Sequence, residues 1–118
     1  MNSNILKNRT KAFAVSVALF CENLPNRVAF KPYSNQLIRA SSSVGANYRA
    51  VCRAKSKADF INKLKIVEEE CDECMFFLEL MVEIDNSLKE KIQPIWNEAN
   101  EILSIVVSAI NTSRQNLK

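Results

Sequence analysis

The stretch "DFINKLKIVEEECDECMFFLELM", residues 59–81, settles the fold class of this chain. Phe60, Leu64, Val67, Cys71, Cys74, Leu78 and Met81 follow one another at spacings of four and three, with no Gly or Pro among them. Such a heptad seam lines one side of an α-helix and packs it against a neighbour with left-handed, coiled-coil-like geometry. The helix has a legible start: Ser56 stands as cap, and Asp59 can reach back to it as in a capping box. A helix over about 57–84 is expected. Its apolar residues exceed one face. With Phe60 at 0° and ~100° per residue, the seam stays within about 60°, whereas Ile66, Phe76, Phe77, Leu80 and Ile84 fall between about 160° and 260°. A helix apolar on two sides is covered on two sides. In so short a chain the second cover is expected to be another copy.

The same periodicity extends along the chain. Leu6, Phe13 and Phe20 recur every seven residues, with Val17 and Leu24 on the same stripe, predicting a helix over about 4–23. Leu37, Ser41, Val44, Tyr48 and Val51 form the seam of a second, over about 34–54. Leu88, Ile92, Ile95, Ala99, Ile102, Val106 and Ala109 form that of a fourth, over about 88–114, with Pro94 marking its first turn or a kink. One Gly and three Pro in 118 residues leave few interruptions. The expectation is all-α: residues 1–118 fold as one antiparallel up-down four-helix bundle, assembling as a homo-oligomer.

Charge is divided along the chain. Residues 1–57 hold ten Lys/Arg and one acid, whereas residues 58–85 hold two Lys and nine acids. Two readings stand: helices that neutralise one another, or a basic face for a polyanion beside an acidic face for something else. The second helix carries "RASSSVGANYRA", residues 39–50, in which Ser42 and Ala46 lie away from the core between flanking arginines. Small side chains there admit a neighbouring helix or a phosphate backbone. On the core side, Ser41 and Gly45 permit close approach of another helix.

Several chemistries are disfavoured. The chain has no histidine, which removes the commonest general base and metal ligand. Cys71 and Cys74 form C-x-x-C, but within a helical seam, where cysteine behaves as a small hydrophobe. Glu70 and Glu73 lie one turn apart with no second carboxylate helix evident, so pairing with arginines of the second helix is expected rather than a metal site. No cofactor, metal or catalytic residue is expected. Lys7, Arg9 and Lys11 precede a short apolar run, Ala12–Cys21, without a signal-type cleavage site. No segment approaches membrane-span length. The expected location is the cytoplasm, with the cysteines reduced.

Residues 36–81 resemble the signature of a known family. Gln36, Leu37, Arg39, Ala40, Ser43, Val44, Asn47, Tyr48, Asp59, Phe60, Leu64, Ile66, Glu70 and Glu73 match at the spacing of the 23S rRNA-intervening sequence proteins. Ala50 departs from the pattern, which often has Glu there. The resemblance extends to the accessory variability determinants of diversity-generating retroelements. It implies an up-down bundle assembled as a barrel-like homopentamer, with a basic surface that contacts RNA or DNA. In the retroelement relatives it implies a reverse transcriptase as a further partner.

The basic residues that would form such a surface are Arg39, Arg49, Arg53, Lys55 and Lys57, supported by Arg27, Lys31, Lys7, Arg9 and Lys11. Arg grips phosphate bidentately and Lys supplies charge. Arg39 and Arg49 have a structural alternative in Glu70 and Glu73. With little exposed aromatic surface expected, binding should be led by the nucleic-acid backbone. The competing reading is a protein–protein scaffold with no nucleic-acid contact.

Overall fold

The computed structural model describes residues 2–116. Four helices follow in order: α1 (Ser3–Glu22), α2 (Phe30–Val51), α3 (Lys57–Ile84) and α4 (Lys89–Asn116). A 3₁₀ turn, Asn86–Leu88, leads into α4. Each helix packs on the next, and α4 returns to α1. Cross-contacts give the directions. Gly45 meets Thr10, Arg39 reaches Glu70, the Tyr33 ring lies tilted beside that of Phe77, and Trp96 bonds Glu79. Consecutive helices are therefore antiparallel, in a bundle of 50 × 21 × 20 Å.

The heptad seams close into one core. Leu6, Phe13 and Val17 of α1 meet Leu37, Val44 and Tyr48 of α2, with Leu64, Val67, Cys71, Cys74, Leu78 and Met81 of α3. Ile92, Ala99, Ile102, Val106 and Ile110 complete it from α4, so Ile110 rather than Ala109 carries the buried stripe toward the end of that helix. Of the neighbouring helix pairs, α1 and α4 approach each other least. Arg9 clips that seam, donating from Nε to Glu98 Oε2 at 2.7 Å and from Nη2 to Glu98 Oε1 at 2.8 Å. It also pairs with Glu101 at 2.8 Å.

Helix ends differ from expectation where tertiary packing decides them. α2 begins at Phe30, four residues early, because the Phe30 side chain is buried in the core. Pro32 is the third residue of the helix, where its missing N–H has no intrahelical partner to lose. The helix stops at Val51, and the N–H groups of Arg53 and Ala54 make tighter bonds to the Ala50 and Val51 carbonyls. Pro94 lies six residues into α4, past its first turn, and on the exposed side.

Ser41 is buried and its hydroxyl donates to the Ile38 carbonyl at 3.2 Å. Gly45 faces α1. A Cβ there would lie 3.6 Å from the Thr10 carbonyl oxygen, an ordinary van der Waals distance, and the Gly45 backbone has no positive φ. Gly45→Ala should therefore raise stability by about 0.5–1 kcal/mol through helix propensity and a less flexible unfolded chain. A thermal melt of the variant checks this, and a lowered midpoint would mean that the α1–α2 spacing cannot take a methyl group.

Candidate nucleic-acid interface

The turn between α2 and α3 is the most basic part of the fold. Arg49 and Arg53 leave the end of α2, Lys55 lies in the turn, and Lys57 opens α3; all four are exposed. Local hydrogen bonding fixes their framework. The Asp59 N–H donates to Ser56 Oγ at 3.0 Å, capping α3. In return, Asp59 Oδ2 accepts the backbone N–H of Lys55 at 3.0 Å, one residue earlier than an ideal capping box requires. The same oxygen takes Lys63 Nζ at 2.5 Å, which holds the Asp59 carboxyl below its usual range, with the Lys55 backbone bond contributing. The one acid in the turn thus has its own cation.

Among the described residues, Arg49, Arg53, Lys55 and Lys57 have no ion-pair partner. The α1 start and the α4 end reach the same end of the bundle. A cleft of about 550 Å³ opens there between Ser3, the Lys55–Lys57 turn, Phe60 and Ser113. Arg114, in the last turn of α4, adjoins it. Its place there depends on the antiparallel return of α4, which no local sequence pattern announces.

The other predicted basic residues are dispersed. Lys31 and Arg27 lie at the opposite end of the bundle, about 30 Å away by the rise of α2. Arg27 is 3.8 Å from Asp85 Oδ2, donates to the Ile84 carbonyl and lies over the Phe30 ring. Arg39 lies mid-helix, donating to Glu70 at 2.9 Å and to Glu73, the structural pairing. Arg9 is held by Glu98 and Glu101, whose hydrogen bonds raise its pKa, Glu98 contributing most. Lys7 and Lys11 line α1 without an ion pair among the described residues.

The residues expected on the outer surface divide as well. Ser42 and Ala46 are exposed on α2, and Ile66 and Phe76 on α3. Leu80 is half-buried. Phe77 and Ile84 instead pack against the core of the same chain, Phe77 with its ring centroid 5.8 Å from that of Tyr33. Cys71 and Cys74 are fully buried. Burial pushes the Cys71 thiol up to about 12 and that of Cys74 higher, so neither supplies a thiolate near neutral pH. Among the described residues, no cluster of three His, Cys, Asp or Glu is placed to hold a metal ion. No helix among the described residues is long and apolar enough to cross a membrane.

A family model described as "23S rRNA-intervening sequence protein" matches residues 2–108. A solved structure, a protein of unknown function from the S23 ribosomal protein family of Bacteroides thetaiotaomicron VPI-5482, is 34% identical. It superposes with a TM-score of 0.83, covering 94% of this chain and 99% of that one. Among curated proteins there is no match.

Proposed function

Because this chain belongs to the 23S rRNA-intervening sequence protein family, we propose that it is a non-catalytic, cytoplasmic accessory protein that assembles with itself and binds RNA or DNA through the α2–α3 turn. The homopentamer implied by the resemblance is the assembly we assign to it. The observation that carries the reading is the set Arg49, Arg53, Lys55 and Lys57, exposed together while the nearest acid, Asp59, is neutralised by Lys63. Paired arginines have part of their charge and donors already in use, whereas these four have theirs available for phosphate. Phe60 is half-buried beside the turn, and no row of exposed aromatics accompanies the cations. Affinity then comes from backbone charge and is weakly sequence-specific. Several copies in one assembly multiply a modest contact through avidity.

The test is binding of the nuclease-treated protein to fluorescent structured RNA and duplex DNA at roughly 50 and 200 mM salt. Binding at the lower salt that weakens at least tenfold at the higher one is expected. Absence of binding at both sinks the reading.

A further inference from the structure

α1 has two stripes. Its inner one, Leu6, Phe13 and Val17, is in the core, whereas Ile5, Val15 and Leu19 are 64%, 51% and 55% exposed. With exposed Ala12 they occupy heptad positions at offsets of 0, 7, 10 and 14 residues. On α3, Ile66, Glu73, Phe76 and Leu80 repeat those four offsets, with Ile66 42% and Phe76 55% exposed. Each stripe is ~21 Å long at the rise of an α-helix. Large apolar side chains aligned on solvent-facing helix edges mark contact surfaces.

The two edges lie on opposite sides of the molecule. α1 and α3 each pack on α2 and α4 and make no backbone approach to one another, so they are diagonal in the bundle. Their charges are opposite too. Arg39 of α2 is paired within the α3 edge, to Glu73. Lys7 and Lys11 flank the α1 edge, with Glu22 as its one acid; Glu69, Asp72 and Glu83 flank the α3 edge, with Lys65 as the one base of α3 beside it. None of these seven has an ion-pair partner among the described residues.

We propose that these edges are the two halves of one heterologous interface, the α1 edge of one copy seating on the α3 edge of the next. The proposal rests on the self-assembling reading above and names its contact. A single chain cannot join its own diagonal edges, so the pairing is between copies. An α1–α1 contact would oppose lysines and an α3–α3 contact would oppose carboxylates, each an unfavourable like-charge pairing. Repeated head to tail, the contact builds a closed ring where the rotation per copy allows it. Lys7 and Lys11 then belong to assembly and leave the α2–α3 turn for nucleic acid.

Light scattering on purified protein tests it with Leu19→Asp and Phe76→Asp, both at exposed positions, and Ile66→Asp as a second α3-edge variant. Helicity by circular dichroism verifies the fold of each. The wild type is expected to be oligomeric and each variant a monomer of 13.4 kDa. Equimolar Leu19→Asp and Phe76→Asp should then combine into a species of twice that mass, because one intact edge survives on each partner. A symmetric contact does not give that result. A variant that dimerises alone, variants that keep the wild-type assembly, or a mixture that stays monomeric overturns the edge assignment and leaves self-assembly standing. A monomeric wild type overturns both.

Discussion

Phe13→Ala will lower the unfolding free energy by about 3–5 kcal/mol, out of the roughly 5–15 kcal/mol typical of a domain. The reason lies in how α1 is held. It contributes Leu6, Thr10, Phe13 and Val17 to the interior, and its approach to α4 is the slightest of any neighbouring pair. Phe13, 2% exposed, is the largest of the four. Its loss leaves a cavity at the meeting of α1 and α2, where helices already in contact cannot collapse fully into the space. The one tryptophan gives a second view of the same transition. Trp96 Nε1 donates to Glu79 at 2.9 Å, across the α3–α4 pair, on the far side of the bundle from α1. Urea unfolding followed by Trp96 fluorescence and by circular dichroism should shift together if the bundle melts as one unit. Helicity lost ahead of the fluorescence change would mean that α1 detaches first. A shift equivalent to less than about 1 kcal/mol would contradict the packing described here.

Lys55→Glu with Lys57→Glu should weaken nucleic-acid binding by roughly 100-fold at 50 mM salt and reduce the salt slope by about two, one for each phosphate contact removed. Both side chains are exposed and have no ion pair among the described residues, so the reversal removes two cations and places two anions at the same turn. The framework beneath them is spared, because Asp59 holds the backbone N–H of Lys55 rather than its ammonium. Stability should therefore change little. Lys31→Glu is the matched control. It changes one charge at the distant end of the bundle and should leave affinity within roughly threefold, given how screening limits effects beyond a Debye length. Titrations of fluorescent RNA against all three proteins read both quantities. Equal losses from the two sites would mean that the basic charge acts as a diffuse field, and the turn would lose its special place.

The sequence made α3 legible almost to the residue, because its start is set by Ser56 and Asp59 and its face by an uninterrupted heptad. α2 was less so. Its first turn forms because Phe30 is buried by other helices, which outweighs the loop chemistry of "LPNRVAFKP". For the charged residues, sequence gave type and rough position, while availability is a tertiary property. Arg9 and Arg27 read as free cations until α4 brings Glu98 and the end of α3 brings Asp85. Arg39 is legible in its structural form, because Glu70 and Glu73 lie one turn apart on the acidic helix that follows it. The outer stripe of α1 is masked in the sequence because Leu6, Phe13 and Phe20 dominate the same helix at the same period, and only exposure separates Ile5, Val15 and Leu19 from them.

The meeting of Ser3 and Ser113 beside the Lys55–Lys57 turn also sets a rule for engineering this molecule. A bulky label attached at Ser3 or Ser113 would overhang the basic cleft, and an acidic one would compete for it. The loops at 23–29 and 85–88 are at the far end. A label placed in either loop sits about 30 Å from the turn, leaving the cations clear for immobilised binding measurements.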